Sequence, residues 1–536
     1  MNTKEELPPP ADKKTGLLRS GILVSAFTLL SRVFGFIRDQ VIAIVFGASI
    51  VSDAFLVAFK IPNFMRRLFA EGAYAQAFVP IFMEYKETRS FQALKDLTDH
   101  VMGTLGSILL VVTALGMLLA PALVYLFAPG FQGEPERIRL TEEMLRVTFP
   151  YLFFISLTAF SGGILNSYGR FAVAAFTPVL LNFTLIAAAL WGAPFFEEPI
   201  FALAWGVFFA GAIQLGFQLP QLARLGLLPH PRLGFRHEGV KRIFKLMLPT
   251  LFGSSVAQIN LLLDTVIASF LAVGSISWLY YADRLVEFPL GIFGIALATV
   301  ILPNLSAKHA QKSEREFAQI LKWALKLALL ISLPAAIGLL MLAHPIVATL
   351  FEYGAFSAYD TKMAAYSLMA YTLGLPAFVA IKILAPGFFA RQDTKTPVRI
   401  GIIALFANMV FNLVIVVPMV LLDSEIPHTG LALATAASAW LQVGMLAYRL
   451  RSEQLLSLQT GWVWWSVRLL VSVLVMGICI ALLSPDQSTW SDHTFLERFL
   501  FLSGIILASI LAFTTALYLL GFRFKELHHS PGATGE

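Results

Sequence analysis

The stretch SRVFGFIRDQ, residues 31–40, sets Ser31, Arg32, Arg38 and Asp39 inside an otherwise apolar run from Ile22 to Val51. Each ionised side chain near the centre of a membrane-spanning helix costs roughly 2.5–3.5 kcal/mol on insertion scales. Charges kept at that cost need a task. The next apolar run adds Asp53, and within KIPNFMRRLFAEG it adds Lys60, Arg66, Arg67 and Glu71. Far downstream, Ser277 precedes YYADRLVEFP, which carries Asp283, Arg284 and Glu287, while Asp264 and Lys382 stand in runs of their own.

Arginine in such places suits a diphosphate or a carboxylate, because its planar fork donates in pairs and stays charged. Nearby acids would orient the arginines and limit repulsion between them. Arg32 and Asp39 are seven apart and share a helix face. Arg67 and Glu71 (i,i+4) and Arg284 and Glu287 (i,i+3) can each meet on one face. The Arg67–Glu71 pair serves equally as a lock between helices. Arg38 points elsewhere on a straight helix, and Gly35 permits a bend that would bring it round. Salt bridges alone are a poor reason to bury so much charge, and intramembrane ionisable groups usually line a pathway or a substrate site. The residues therefore point to a hydrated, anion-binding cavity in a transporter.

Other constellations are weaker. Asn260, Asp264, Asn408, Asn412 and Thr435 could offer oxygens to a small cation such as sodium, although interhelical hydrogen bonds by polar side chains are the commoner reason for such residues. His100, His344 and His428 fall at run ends or in loops without metal-ligand spacing. No nucleotide-binding G-x-x-x-x-G-K-[ST] loop, HExxH motif or Cys/His cluster occurs. The lone cysteine, Cys479, excludes an intrachain disulfide.

The elements that carry these groups must be membrane helices. The 536-residue chain is 57% hydrophobic and 13% charged, with a mean hydropathy of +0.75, far from a soluble domain. Its formal charge of +6 is scattered over loops, which argues against a nucleic-acid partner. About fourteen apolar runs reach spanning length: residues 20–49, 51–83, 97–128, 143–166, 174–194, 199–223, 242–272, 277–306, 317–343, 360–388, 397–422, 428–450, 464–484 and 497–521. Lys and Arg concentrate in the N-terminal tail and in alternate loops such as EYKETRSFQALK and ARLGLLPHPRLGFRHEGVKR, whereas the intervening loops are poorer in them. The positive-inside rule then puts both termini in the cytoplasm.

The chain also repeats itself. Asp39-Gln-Val-Ile-Ala matches Asp264-Thr-Val-Ile-Ala, and FVPIF (78–82) matches VILPNL (300–305) at nearly the same interval. Two six-helix lobes in the same orientation are expected, related by a pseudo-two-fold axis along the membrane normal with a cavity between them. The expected organisation is a cytoplasmic tail at 1–19, an N-lobe at 20–223, a cytoplasmic linker at 224–241, a C-lobe at 242–450, two further helices within 451–521, and a C-terminal tail at 522–536. The fold class is all-α and polytopic.

SRVFGFIRDQVIAIVFGASIVSDAFLVAFKIPNFMRRLFAEGAYAQAFVPIF, with SISWLYYADRLVEFPLGIFGIALATVILPNLS and LAPGFFARQDTKTPV (384–398), closely resembles the MurJ-type (MviN) lipid II flippases of the MOP exporter superfamily. The resemblance covers essentially the whole chain. It implies movement of the undecaprenyl-diphosphate-disaccharide-pentapeptide precursor from the inner to the outer leaflet of the bacterial cytoplasmic membrane, by alternating access, for cell wall synthesis. It implies a transporter, not an enzyme, with the last two helices holding the lipid tail. The family's arginine triad for the diphosphate falls on Arg32, Arg38 and Arg284. Its other cavity residues fall on Ser31, Asp39, Asp53, Arg66, Arg67, Glu71, Ser277, Asp283 and Glu287. Some relatives bind sodium through acids and amides; here Asp264 is present, but the eleventh run offers Asn408 and Asn412 without an acid. No cofactor is implied, and coupling to sodium, protons or membrane potential stays open. Lipid II and membrane lipids are the expected partners, peptidoglycan synthases are candidate protein partners, and a monomer is the expected unit. The competing readings are an exporter of another undecaprenyl-linked saccharide, a multidrug or cation antiporter of the same superfamily, and a membrane-embedded glycosyltransferase using Asp39.

Overall fold

The computed structural model describes residues 13–67, 74–456, 461–485, 490 and 493–523, with side chains described for these except 13–20, 74–76, 248–261 and 295–296. Every regular element among them is helical. In chain order the α-helices are α1 (Lys13–Phe46), α2 (Ile50–Arg66), α3 (Tyr74–Thr88), α4 (Phe91–Leu118), α5 (Ala120–Phe127), α6 (Pro135–Thr148), α7 (Tyr151–Ser167), α8 (Phe171–Ala187), α9 (Phe201–Arg224) and α10 (Glu238–Ala268). They continue with α11 (Ser275–Pro289), α12 (Ile295–Ala310), α13 (Glu314–Met341), α14 (Ala343–Phe351), α15 (Ala358–Thr372), α16 (Leu375–Phe389), α17 (Lys395–Leu421), α18 (Pro427–Ser452), α19 (Trp462–Leu483) and α20 (Phe495–Leu519).

In a bilayer each backbone N–H and C=O must be satisfied within the chain, and a helix does this segment by segment. Twelve helical stretches among the described residues are long and apolar enough to cross a membrane. The fourteen expected runs include two more, 51–83 and 242–272, which also fold as helices in α2 with α3 and in α10. Several runs are jointed. Pro121 opens α5 one turn after α4 ends, and a π-helical segment, Leu290–Gly294, follows Pro289 between α11 and α12. Large apolar side chains face outward along these helices, including Leu421, Leu482 and Leu519. Surface of that kind is stable against hydrocarbon and not against water. The chain is a multi-pass membrane protein.

Two compact units divide the chain. The first contains residues 1–45 and 54–258; the second contains 259–536 together with Phe46–Asp53. In the first, α7 and α8 pack on α9, and Gly211 lets α9 close on α7, where an added Cβ would lie 2.9 Å from the Phe154 Cβ. In the second, α17 packs on α18, α13 on α16, and α19 on α20. The short segment Phe46–Asp53 joins the second unit because of what Asp53 does there.

Candidate functional site

In the first unit, α1 presents Arg38 and Asp39 on its well-packed half. Both are buried, at 7% and 2% exposure. The Arg38 guanidinium closes onto its neighbour, with Nε and Nη2 donating to Asp39 Oδ1 at 2.9 and 2.6 Å. Its third arm, Nη1, donates to Asn182 Oδ1 on α8 at 2.9 Å. Asn182 in turn donates from Nδ2 to the Ser31 carbonyl at 2.9 Å. Gly35 lies directly beneath this amide, with Nδ2 3.5 Å from where its Cβ would be. Arg32, seven residues before Asp39 on the same helix, is exposed, and the carboxylate pairs with the guanidinium of Arg38, its immediate neighbour. Adjacent helical residues diverge by about 100°, but a long arginine can curl back across that gap.

Elsewhere on this unit, Arg66 donates from Nε to Asn63 Oδ1 at 2.8 Å, and Arg67 is partly buried at the end of α2. Glu71, expected to pair with Arg67, lies outside the described residues.

In the second unit Asp53 is fully buried and caps the start of α11. Its Oδ2 accepts from Gly274 N at 2.8 Å, and its Oδ1 accepts from Ser277 N at 2.9 Å and Ser277 Oγ at 2.6 Å. The first amides of a helix lack intrahelical acceptors and carry partial positive charge, so a carboxylate there is stabilised twice over. Two glycines make the approach possible. Gly47 (φ +64°) turns the chain after α1 against Ala355, and Gly274 (φ +93°) turns it into α11 beside the Ala48 carbonyl. Trp278, one residue on, donates from Nε1 to Asp360 Oδ1 at 2.9 Å and fixes the same turn against α15.

Further along α11, Arg284 is one-third exposed and pairs with Glu287 at 2.9 Å, as the i,i+3 spacing predicted. Its guanidinium also lies 5.1 Å from the Tyr280 ring centroid. Asp283 is partly buried beside it. On α10, α17 and α18 a string of oxygens forms: Asn412 Nδ2 donates to Asp264 Oδ1 and to Asn408 Oδ1, both at 3.1 Å, and Asn408 Nδ2 reaches Thr435 Oγ1 at 3.4 Å. Asn412 Oδ1 is buried without a hydrogen-bond partner. One carboxylate, two amides and one hydroxyl make a donor set that fits a small hard cation. Asn260 falls among the residues whose side chains are not described.

Some groups went unnoticed in the sequence. Asn182 is a lone amide in the apolar run TPVLLNFTLI, and that isolation was its signal. His100, expected to stand apart, meets Asp96 and His237 of the linker segment, their ligand atoms within 4.8 Å of one another. Local spacing could reveal only the Asp96–His100 pair, four residues apart, and not His237, because the linker folds back onto α4. The His100 and His237 rings stack at 5.0 Å, and His237 Nδ1 accepts from Gly239 N, so Nε2 holds its proton toward Asp96, 3.4 Å away. His237 has both ring nitrogens engaged within the fold, and His100 Nδ1 faces the Asp96 carbonyl at 2.8 Å, so the cluster acts as a hydrogen-bonded strap. Burial, foremost, and the neighbouring His100 hold the His237 pKa below its usual value, against the pull of Asp96.

The described residues make a polytopic α-helical membrane protein that buries an arginine–carboxylate pair, Arg38 with Asp39, within one of its helices. Solved structures agree on the fold: an inward-facing multidrug resistance MATE family transporter of the MOP superfamily overlays with a TM-score of 0.65 at 16% identity, covering 81% of this chain and 98% of that one. A structure titled lipid II flippase MurJ, inward closed conformation, overlays with a TM-score of 0.78 at 28% identity, covering 95% of this chain and all of that one. The family profile described as "Lipid II flippase MurJ" matches residues 42–501. A protein of Vibrio cholerae named probable lipid II flippase MurJ is 45% identical over 518 residues, 95% of this chain and 97% of that one. One of Haemophilus influenzae with the same name is 44% identical over 513 residues, 93% of this chain and 99% of its own length. This chain belongs to the MurJ lipid II flippase family, a family of transporters rather than enzymes.

Proposed function

We propose that the chain is the lipid II flippase of its cell. It moves undecaprenyl-diphosphate-disaccharide-pentapeptide from the inner to the outer leaflet of the cytoplasmic membrane and so supplies cell wall synthesis. Family membership over nearly the full length supports the substrate. The single structural observation that carries the chemistry is the buried Arg38 guanidinium, pre-oriented by Asp39 and Asn182. A guanidinium held this way loses little side-chain freedom when a diphosphate replaces one of its acceptors. Arg32 on the same helix, and Arg284, oriented by Glu287, are further donors to diphosphate oxygens in this reading. Alternating access, with both termini cytoplasmic, is supported by the internal repeat and by the bias of Lys and Arg toward alternate loops.

Asp264, Asn408, Asn412 and Thr435 form the coupling-cation site in this account, with sodium the first ion to try. Binding of radiolabelled lipid II to the purified protein tests the substrate assignment. Arg38→Lys should bind it at least tenfold more weakly while folding normally, because a point charge cannot replace the bidentate fork. Equal binding by both proteins would remove Arg38 from the site.

A further inference from the structure

One cation within the membrane helices of the second unit has no task in the site described above. Lys382 stands on α16, which buries Val379, Ala380, Ile383, Leu384 and Pro386 on its packed side, while Lys382 itself is exposed. Among the described residues it makes no ion pair and no hydrogen bond. Its aliphatic stem crosses Gly294, where an added Cβ would lie 3.6 Å from Lys382 Cγ. Gly294 closes the π-helical segment Leu290–Gly294, which continues directly from α11. The lysine therefore stands beside the same helical column that carries Arg284 and Glu287. Single π-helical turns within α-helices recur at functional sites.

An ammonium on an apolar helix is costly, and such groups mark substrate pathways. With no acid of its own, Lys382 fits an anionic group brought in by a ligand. Distance selects which one. Gly294 lies ten residues beyond Arg284, about 15 Å along a helix. A diphosphate gripped at Arg284 does not reach that far. A five-residue peptide does, since extended residues add roughly 3.3–3.6 Å each, about 17 Å in all. Such a peptide ends in a carboxylate. The residue type agrees with this division. A planar guanidinium fork matches a diphosphate, whereas a single carboxylate on a flexible chain is met by a point charge with three rotatable donors.

We propose that Lys382 pairs with a carboxylate of the stem peptide while the arginines hold the diphosphate. Lys382 is then a specificity residue of the transporter. The inference rests on the lipid II reading above and deepens it, because this contact favours an acidic, peptide-bearing head group over a neutral saccharide on the same lipid.

Binding of two matched ligands to the purified full-length protein tests this: lipid II, and lipid II whose peptide carboxylates have been converted to carboxamides. A hydrogen bond between charged groups is worth at least about tenfold in affinity, so the wild type should prefer the carboxylate form by that factor. Lys382→Gln should bind the two forms within about twofold of each other, and Lys382→Arg should keep most of the preference, which separates loss of charge from loss of fold. Arg38→Lys should weaken both forms alike and leave the preference in place. The proposal is overturned if the wild type binds both forms equally. It is also overturned if Lys382→Gln keeps the wild-type preference, which would make Lys382 a border residue reaching toward the lipid head groups. Failure of the wild type to bind either form would instead remove the lipid II reading itself, and this inference with it.

Discussion

Arg38 and Asp39 are neighbours in the chain and partners in space: one guanidinium spends two of its arms on one carboxylate oxygen, at 2.9 and 2.6 Å, and its third on an amide of another helix. Charge in an apolar helix is tolerated here because it is neutralised locally and fully hydrogen-bonded. The same arrangement leaves a positive group that can exchange its acceptors for those of a diphosphate. Asp39 is then a positioning residue. Asp39→Asn should leave Arg38 without its counter-charge and cut transport at least tenfold, and lipid II binding measured in the same membranes should fall with it.

Asn182 has a smaller but separable effect. Replacing it with Ala removes one acceptor from Arg38 and the bond to the Ser31 carbonyl. Hydrogen bonds to a charged group are worth about 1.5–3 kcal/mol, so binding should weaken by about ten- to a hundredfold. Asn182→Asp should instead tie Arg38 down and slow release. A flipping assay that separates substrate affinity from turnover distinguishes the two outcomes, and identical behaviour of both variants would contradict them.

Asp53 fixes the segment Phe46–Asp53 to the start of α11 with three hydrogen bonds. In Asp53→Asn one of the acceptor oxygens becomes an NH2 group that can face N–H donors, so the loss should exceed that of Ser277→Ala, which removes one hydroxyl. Hydrogen exchange of the peptide containing residues 274–278 should accelerate on the order of 100-fold in Asp53→Asn and under tenfold in Ser277→Ala.

If the oxygens around Asp264 hold sodium, replacing potassium by sodium should raise the melting temperature of the detergent-solubilised protein. A ligand present at about 100 times its dissociation constant contributes roughly 2.7 kcal/mol. Asp264→Asn should abolish the shift. A shift that persists in this variant would place the ion elsewhere, and none in the wild type would leave protons or the membrane potential as the driving force.

The strap from residues 228–237 to α4 should be pH-sensitive. Burial lowers the pKa of His237 in the fold from the ordinary 6.5, and His100 adds to this while Asp96 opposes it. The unfolded strap therefore binds more protons, and stability falls as pH falls. The contribution is complete above about pH 6.5 and is lost progressively below it. Arg232, Glu238 and Tyr85 also lie near the ring. Exchange protection of residues 228–237, corrected for intrinsic rates, should drop between pH 7.5 and 5.5 in the wild type and stay flat in His237→Gln.

Much of this was legible from residue type and run length. The apolar runs read as helices because length and hydropathy alone decide that in a bilayer. The pairing of Arg284 with Glu287 followed from helical spacing. What spacing could not show was partnership across distant segments. Arg38 looked turned away from the face of Arg32 and Asp39, yet its long side chain curls back onto the neighbouring carboxylate. Asp53 looked like a cavity acid, and the fold uses it to cap a helix more than two hundred residues away, which also moves Phe46–Asp53 into the second unit. His100 carried no metal pattern because, beyond Asp96 one turn away, its other partner, His237, arrives on the returning linker. Asn182 was hidden for the opposite reason, as a single amide among residues whose apolar character dominated the reading.

The most direct test is the amount of lipid II exposed on the outer face of cells depleted of this protein, read with an impermeant enzyme that cleaves only outward-facing head groups. The account predicts that cleavage falls on depletion, returns with the wild-type copy, and stays low with Arg38→Ala expressed at the same level. Outward lipid II that is unchanged on depletion in cells without a second flippase, or restored in full by Arg38→Ala, would contradict it.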